Sequence, residues 1–273
     1  MKFLLVTLFI PMLSMAQVER SVSRETHAIL LRFLEAEQNQ VVPSTQRVMN
    51  FLDRLASQSD SYHEHEQQFV RQLFVKTHAR FLKTFRGDAT FSQIFSNGNY
   101  NCLTATALLG LALNHFGYSF RIFETNHHIF ILVDTDRGVA LLETTDPFDG
   151  FTTDDKVIDR KISSYKSASA TETDSRVIQY QFKTSIYRQV KLEELIGLLH
   201  FNLAASAYNA RDYENAISHL ELSRKYYNSG RLREFSDVIL LTLQESNPAN
   251  AGLLTARIRK LKQSSADAGE TTF

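Results

Sequence analysis

The stretch that most constrains the fold of this chain covers residues 97–150, and it contains the only cysteine, Cys102. A polar, glycine-containing loop precedes Cys102, and a strongly apolar stretch follows it at once. Further along comes a strand-like run with His128, and a second such run ends at Asp146. A cysteine at a helix start, then a histidine and an aspartate on adjacent strands, is the order that a thiol nucleophile requires.

The balance of residue types sets the scale of the fold and its charge. A chain of 273 residues, 43% of them hydrophobic, can form one large or two small domains around an ample core. Lys and Arg together number 30, as do Asp and Glu, and no basic run occurs. The sequence therefore gives no indication of a nucleic-acid partner or an anionic membrane surface.

The first residues have the pattern of a secretory leader. Lys2 is a short positive start, residues 3–12 are apolar, and Ser14 and Ala16 are small residues at the positions that a signal peptidase reads. A membrane-spanning helix needs about 20 apolar residues, so no integral membrane segment is expected here. We predict a signal peptide cleaved before Gln17, and an exported protein that is periplasmic or secreted. The lone thiol of such a protein is either inert and buried or reactive.

Hydrophobic periodicity predicts a helical N-terminal part. Three amphipathic helices and a helical turn are expected before Cys102, over residues 20–38, 43–55, 63–85 and 90–95. The next helix, over 103–116, has apolar or small residues nearly all round, which is typical of a buried helix.

Runs of β-branched and aromatic residues predict three strands after that helix. They span residues 118–124, 128–133 and 139–144, with a turn over 134–138. We expect them to form an antiparallel meander packed on the helix that carries Cys102. Helices and meander together predict an α+β fold.

Beyond the meander the pattern changes. Residues 149–173 are rich in Thr, Ser, Asp and Lys, which predicts a long surface segment, and whether it covers a cleft as a lid is left open. Residues 177–182 are either a short strand or part of a connector. From residue 192 the pattern is helical again, with further helices expected over 235–244 and 251–262.

Two of the C-terminal helices resemble one tetratricopeptide (TPR) unit, a helix-turn-helix that cannot bury its face alone. Small residues would let the two helices approach closely across a short turn. The small residues are Ala204, Ala207 and Ala216, and the turn is at Arg211 and Asp212.

Two adjacent histidines, His127 and His128, compete for the role of base. On a strand they point to opposite faces, so they would not share a metal ion with Asp146. We predict no metal and no cofactor. If the turn pairs Val133 with Val139, Asp146 is the diagonal neighbour of His128 on the same face.

Diagonal neighbours lie about 7–8 Å apart at Cα, which lets side chains meet. In that register His128 and Asp146 are the base and its orienting carboxylate, and Glu143 faces away. A slip of one residue would exchange these assignments.

Cys102 is expected in the first turn of the buried helix. Unpaired backbone N–H groups there stabilise a thiolate and can hold a developing oxyanion. Asn99 and Asn101 are candidate side-chain donors to the same oxyanion, and Tyr100 either gates the site or packs on the helix.

Residues 98–102, with small residues in the next helical turn, resemble the nucleophile segment of transglutaminase-like proteins of the papain-like cysteine superfamily. His128 matches the strand histidine of that family, and Asp146 matches its Asp-Pro after the next strand. The resemblance covers about residues 65–150 and is strongest to exported members from Bacteroidetes. Those members often carry a TPR-like C-terminal part.

The resemblance implies a papain/transglutaminase-like core and a thiol acyl-transfer reaction on a peptide or protein substrate. Cys102 would attack a peptide or carboxamide carbonyl, His128 would pass the thiol proton to the leaving amine, and Asp146 would orient His128. Water as acceptor makes the protein a peptidase or amidase, which we favour in an exported setting. An amine as acceptor makes it a cross-linking transferase.

The predicted organisation has four parts. They are a signal peptide over 1–16, a transglutaminase-like domain with N-terminal helices over 17–180, a TPR-like helical region over 181–263 and a disordered tail over 264–273.

Two other interpretations stay open. Many catalytic members complete the oxyanion hole with a Trp or Gln near the cysteine, and this chain has no Trp. That departure favours a catalytically idle scaffold whose TPR-like region binds a protein or peptide partner. The simplest alternative is a buried cysteine, a strand histidine and a turn aspartate that never meet.

Overall fold

The structure is a computed structural model that describes residues 11–37, 41–57, 65–126, 128–168, 186–246 and 249–266. Within these ranges the fold is α+β, as the sequence predicts, with an antiparallel sheet among helices. The predicted cleavage site lies inside the first helix, and cleavage there stays a prediction.

In the described ranges, four helices precede the one that carries Cys102. They are α1 (Pro11–Glu35), α2 (Val41–Ala56), α3 (Glu66–Phe81) and α4 (Gln93–Ser96). The third is shorter than predicted because Leu82 has an extended backbone, with φ of −98° and ψ of 95°. The chain then forms β1 (Thr84–Phe85), which pairs in parallel with β2 (Asn99–Tyr100) directly before the cysteine.

The central helix is α5 (Cys102–His115), and it is buried on nearly every side, as its apolar composition predicts. α1, α3 and α7 (Glu194–Asn209) pack around it, and the sheet lies against its remaining side. In spatial order the strands are β6 (Phe151–Thr152), β5 (Gly138–Leu142), β4 (Ile129–Thr135), β3 (Phe120–Thr125) and β7 (Tyr187–Val190).

Strands β3, β4 and β5 form the predicted meander, whereas the edge strands β6 and β7 are absent from the sequence prediction. β7 begins close to the alternative strand predicted over 177–182, but those residues lie outside the described ranges. Because β7 pairs with β3, the chain after the meander returns to complete the same sheet.

The register of β4 against β5 differs by one residue from the prediction. Thr135 pairs with Gly138, so the turn consists of only the two residues between them. Gly138 has φ of 114°, a backbone conformation that suits glycine, and it already belongs to β5. The predicted pair of Val133 with Val139 is wrong: Val133 pairs with Ala140.

The sheet is covered on both faces. Ile129 and Ile131 belong to the main core around α5, while Phe130 and Leu132 belong to a second cluster on the opposite face. This alternation is the normal consequence of strand geometry. The face on which a side chain lies therefore decides which helix it can meet.

A helix that the sequence pattern does not reveal covers the second face. α6 (Asp155–Ala168) packs Ile158, Ile162 and Tyr165 against it. The predicted surface segment over 149–173 does lie mostly at the surface where it is described, but its central part is a helix that the prediction lacks. The segment is mostly polar, and only three apolar residues at helical spacing indicate the helix.

Four helices complete the described chain: α7, α8 (Tyr213–Tyr226), α9 (Gly230–Ser246) and α10 (Ala251–Ala266). The turn between α7 and α8 lies where it was predicted. Arg211 has φ of 62°, and Asp212 caps α8 by accepting a hydrogen bond from the Asn215 N–H at 3.1 Å. Ala204 and Ala216 are fully buried.

No helix within the described ranges combines the length and apolar character needed to cross a membrane.

The close approach of α7 and α8 gives a stability prediction. A Cβ added to Gly197 would lie 2.3 Å from the Tyr227 Cβ and 2.8 Å from the Ser223 carbonyl oxygen. We expect Gly197→Ala to lower the free energy of unfolding by about 1–3 kcal/mol, because it overpacks the helix contact. Urea denaturation followed by circular dichroism measures this.

The matched control is Gly252→Ala on α10, where an added Cβ meets nothing within 4 Å. Its stability should stay the same or rise by up to about 1 kcal/mol, since alanine favours helix. Equal denaturation midpoints for the two variants would contradict the close packing of α7 on α8.

Candidate functional site

Cys102 is the first residue of α5, so the helix begins one residue before its predicted start, and Cys102 lies in the first turn. The N-cap is Asn101, whose side-chain oxygen accepts the Thr104 N–H at 2.9 Å, while the Thr104 hydroxyl accepts the Asn101 N–H at 2.9 Å. This reciprocal capping box fixes the start of the helix. The cysteine is therefore held in a rigid first turn and not on a loose loop.

Asn101 has a structural task that competes with the predicted oxyanion role. Its amide nitrogen donates to the carbonyl oxygens of Gly87 at 3.1 Å and Ala89 at 2.9 Å. Asn99 lies partly exposed in β2. Tyr100 is buried with its ring edge-on to His78 and Phe85, so of its two predicted roles the structure has the packing one.

Cys102 is partly buried as a residue, and the environment of its thiol keeps that group protonated. Burial, and next the negative charge of Glu143, raises the pKa of Cys102 to about 11. The N–H groups of Leu103 and of Cys102 itself act in the opposite direction, as does the Arg231 guanidinium. The helix N-terminus is thus directed at the sulfur, but burial and Glu143 outweigh it.

The partner of His128 is Glu143, where the prediction was Asp146. The imidazole Nε2 is hydrogen-bonded to the Glu143 carboxylate, and the two side chains are 20% and 5% exposed. The cause is the two-residue turn, since the observed register makes Glu143 the diagonal neighbour of His128. The predicted orientation of Glu143 away from His128 is wrong for the same reason.

Glu143 is held by three side chains in all. Its Oε1 accepts the backbone N–H and the hydroxyl of Thr145, at 3.0 and 2.6 Å, and its Oε2 accepts the Tyr165 hydroxyl at 2.8 Å. Burial would raise the pKa of Glu143, but the hydrogen bonds and charge of His128, together with Thr145, lower it to about 2. The carboxylate is therefore ionised at any physiological pH.

Tyr165 is the site residue that the sequence prediction lacks. Its ring centroid lies 4.6 Å from that of His128 and 5.1 Å from that of Phe130. Burial, and next the charge of Glu143, raises the pKa of Tyr165, so its hydroxyl stays a donor. The helical spacing of the apolar residues in α6 was the signal that could have found it.

Asp146 shapes the loop after β5. Its carboxylate accepts the backbone N–H groups of Phe148 at 3.1 Å and Asp149 at 2.9 Å. The loop closes tightly at Gly150, where an added Cβ would lie 2.1 and 2.2 Å from the carbonyl oxygens of Asp146 and Glu143. Asp146 thus supports the loop that carries the carboxylate bonded to His128.

The thiol and the imidazole lie at the same end of the sheet but belong to different faces. Thr144 donates its hydroxyl to the Cys102 carbonyl oxygen at 3.2 Å, on the α5 side. The His128 ring stacks near Phe130 and Tyr165, on the α6 side. Among the described residues no hydrogen bond joins the thiol to the His128 ring, and His127 lies outside them.

In the part of the chain that the structure describes, no group of three or more His, Cys, Asp or Glu side chains could hold a metal ion.

No protein-family model, curated protein or solved structure matches this chain.

The environment of Glu143 predicts a specific acid response. Because its folded-state pKa is lowered from 4.5 to about 2, the stabilisation is complete above pH 4.5 and is lost as the pH falls through 2. Glu143→Gln should reduce the free energy of unfolding by up to about 3 kcal/mol at pH 7. The difference from wild type should shrink between pH 4.5 and pH 2.

Denaturation at pH 7, 4 and 2.5 measures this difference. Glu245→Gln, at an exposed position on α9, serves as control and should match the wild type at each pH. A Glu143→Gln deficit that does not change with pH would contradict the proposed ionisation of Glu143.

A second prediction concerns the thiol. Since the negative charge of Glu143 raises the pKa of Cys102, Glu143→Gln should lower that pKa and speed alkylation by iodoacetamide at a fixed pH. The rate is measured by intact-protein mass spectrometry between pH 7 and 10. Slower alkylation of Glu143→Gln would show that Glu143 activates the thiol instead.

Proposed function

We propose that the protein is an exported, transglutaminase-like thiol enzyme that transfers or hydrolyses acyl groups of peptide or carboxamide substrates. One observation carries the proposal. A partly buried cysteine is the first residue of a buried, capped helix, at the sheet end where a histidine is bonded to an ionised carboxylate.

The high pKa of Cys102 dictates the order of events. A thiol with a pKa of about 11 is not a preformed thiolate at neutral pH, so a base must remove its proton as the sulfur attacks. The carboxylate of Glu143 occupies the Nε2 of His128, which leaves Nδ1 as the accepting atom. Glu143 then stabilises the imidazolium, as the acid of a triad does.

The proposed reaction has two halves. The Cys102 sulfur bonds to the substrate carbonyl carbon while the imidazole takes the thiol proton, and N–H groups of the first turn of α5 hold the oxyanion. The C–N bond then breaks, the imidazolium gives its proton to the leaving amine, and a thioester remains. Water or a second amine attacks the thioester and releases the thiol.

The two adjacent histidines remain alternatives for the base. His128 shares a sheet face with α6. His127, which lies outside the described residues, stays the second candidate that the sequence offers. If His127 is the base, the pair of His128 and Glu143 is a structural support. The helix pair α7 and α8 would present a protein or peptide partner surface, as its TPR resemblance implies.

A catalytically idle scaffold is the second candidate function. The specific observation in its favour is the thiol itself: burial and Glu143 hold it protonated, and no described hydrogen bond reaches it from His128. In this case the protein would bind a peptide or protein without turning it over.

Turnover of a small carboxamide separates the two. The probe is benzyloxycarbonyl-glutaminylglycine, with ammonia release reporting hydrolysis and hydroxamate formation with hydroxylamine reporting transfer. An enzyme should lose activity in Cys102→Ser, and by about 10²–10⁴-fold when its general base is replaced. His127→Ala and His128→Ala are matched variants, and the larger loss identifies the base.

A thioester adduct on Cys102, seen by mass spectrometry during turnover, is expected only for the enzyme. Activity that survives in Cys102→Ser would sink the proposal, whereas peptide binding without any adduct would favour the scaffold.

A further inference from the structure

A buried ionic network links the sheet to the C-terminal helices. At its centre is Glu124 on β3, only 2% exposed. Its Oε1 accepts the Tyr227 hydroxyl at 2.6 Å and lies 3.3 Å from Nη1 of Arg231, and its Oε2 accepts Nε–H of Arg188 at 3.2 Å. A buried carboxylate needs partners that compensate for its lost hydration, and here they come from β7, α9 and the residue that follows α8.

Arg231, on α9, does more than neutralise Glu124. Its Nη2 donates to the carbonyl oxygens of Thr125 at 3.2 Å and Asn126 at 2.9 Å. Thr125 in turn is bonded to His128 in both directions: its N–H donates to the His128 carbonyl at 2.8 Å, and its hydroxyl accepts the His128 N–H at 3.0 Å. Arg231 therefore holds the backbone from which His128 projects.

The charge of Arg231 also acts on the thiol. Among the described residues, two charged side chains oppose each other at Cys102: Glu143, just after β5, favours the protonated form, and Arg231 favours the thiolate. Arg231 is 8% exposed, so solvent screens its charge weakly. One side chain of the C-terminal region thus touches the histidine turn and biases the cysteine.

We propose that Arg231 is a positioning residue of the site, because it fixes the Thr125 and Asn126 carbonyls just before His128. The C-terminal helices are then an integral part of the site and not a separate binding module. The effect on turnover rests on the proposed function, whereas the effect on the thiol does not.

The test compares two cations of the same network. Arg231→Met and Arg188→Met each remove one positive partner of Glu124, but only Arg231 influences the thiol. Alkylation by iodoacetamide at pH 9, followed by mass spectrometry of Cys102, should be about threefold slower in Arg231→Met and unchanged in Arg188→Met. Each pKa unit corresponds to tenfold in thiolate fraction.

Arg231→Lys keeps the positive charge, but its ammonium group lacks the planar fork that lets Arg231 pair with Glu124 and donate to the Thr125 and Asn126 carbonyls at once. It should alkylate at the wild-type rate, while amide hydrogen exchange in the peptide covering residues 124–130 should become faster. Tyr227→Phe, which loosens Glu124 without changing a charge, should leave alkylation unchanged. The exchange measurement on Arg231→Lys tests the positioning role even if Arg231→Met does not fold.

Exchange in Arg231→Lys no faster than in wild type would overturn the positioning role of Arg231. Equal alkylation rates for Arg231→Met and Arg188→Met would show that the charge of Arg231 does not act on the thiol. Neither the alkylation rate nor the hydrogen-exchange rate depends on catalysis. Absence of turnover in every form would therefore count against the proposed enzyme and not against the role of Arg231.

Discussion

The turn between β4 and β5 contains only two residues, and its length decides which groups the site brings together. A hairpin register is fixed by its turn, and a shift of one residue sends every side chain to the other face. Because Thr135 pairs with Gly138, Glu143 lies beside His128, and Thr144 lies beside the cysteine helix. A turn longer by one residue would have exchanged these neighbours.

That register divides the site between two faces of one sheet. On one face Cys102 begins a capped helix, and the Thr144 hydroxyl donates a hydrogen bond to the backbone carbonyl of Cys102. On the other face, the Glu143 carboxylate is hydrogen-bonded to His128, Thr145 and Tyr165. Because Tyr165 belongs to α6, that helix helps to hold the carboxylate that supports the imidazole. The histidine–carboxylate pair is thus more firmly built than the link between histidine and thiol. A reaction that uses both the thiol and the imidazole therefore has to take place around the end of the sheet, where the two faces meet.

Local signals in the sequence carried most of the architecture. The apolar helix after Cys102, the three strands of the meander and the turn at Arg211 all follow from patterns within a few residues. The residue bonded to His128 does not follow from such a local pattern. It depends on the length of the turn, and the turn is short because Gly138 already belongs to β5. α6 was missed since its three apolar residues are diluted by polar ones, and Arg231 was missed because nothing local links α9 to the turn before His128.

The pairing of β7 with β3 has a consequence for how the chain reaches its native state. Ile122 pairs with Val190, so β3 is covered by β7, whose residues are synthesised long after those of β3. Contacts so far apart in sequence form slowly, and an open strand edge recruits other chains in the meantime. During synthesis the meander would be complete while β3 still lacks its neighbour. A chain truncated before Tyr187 should therefore be prone to aggregate through that edge.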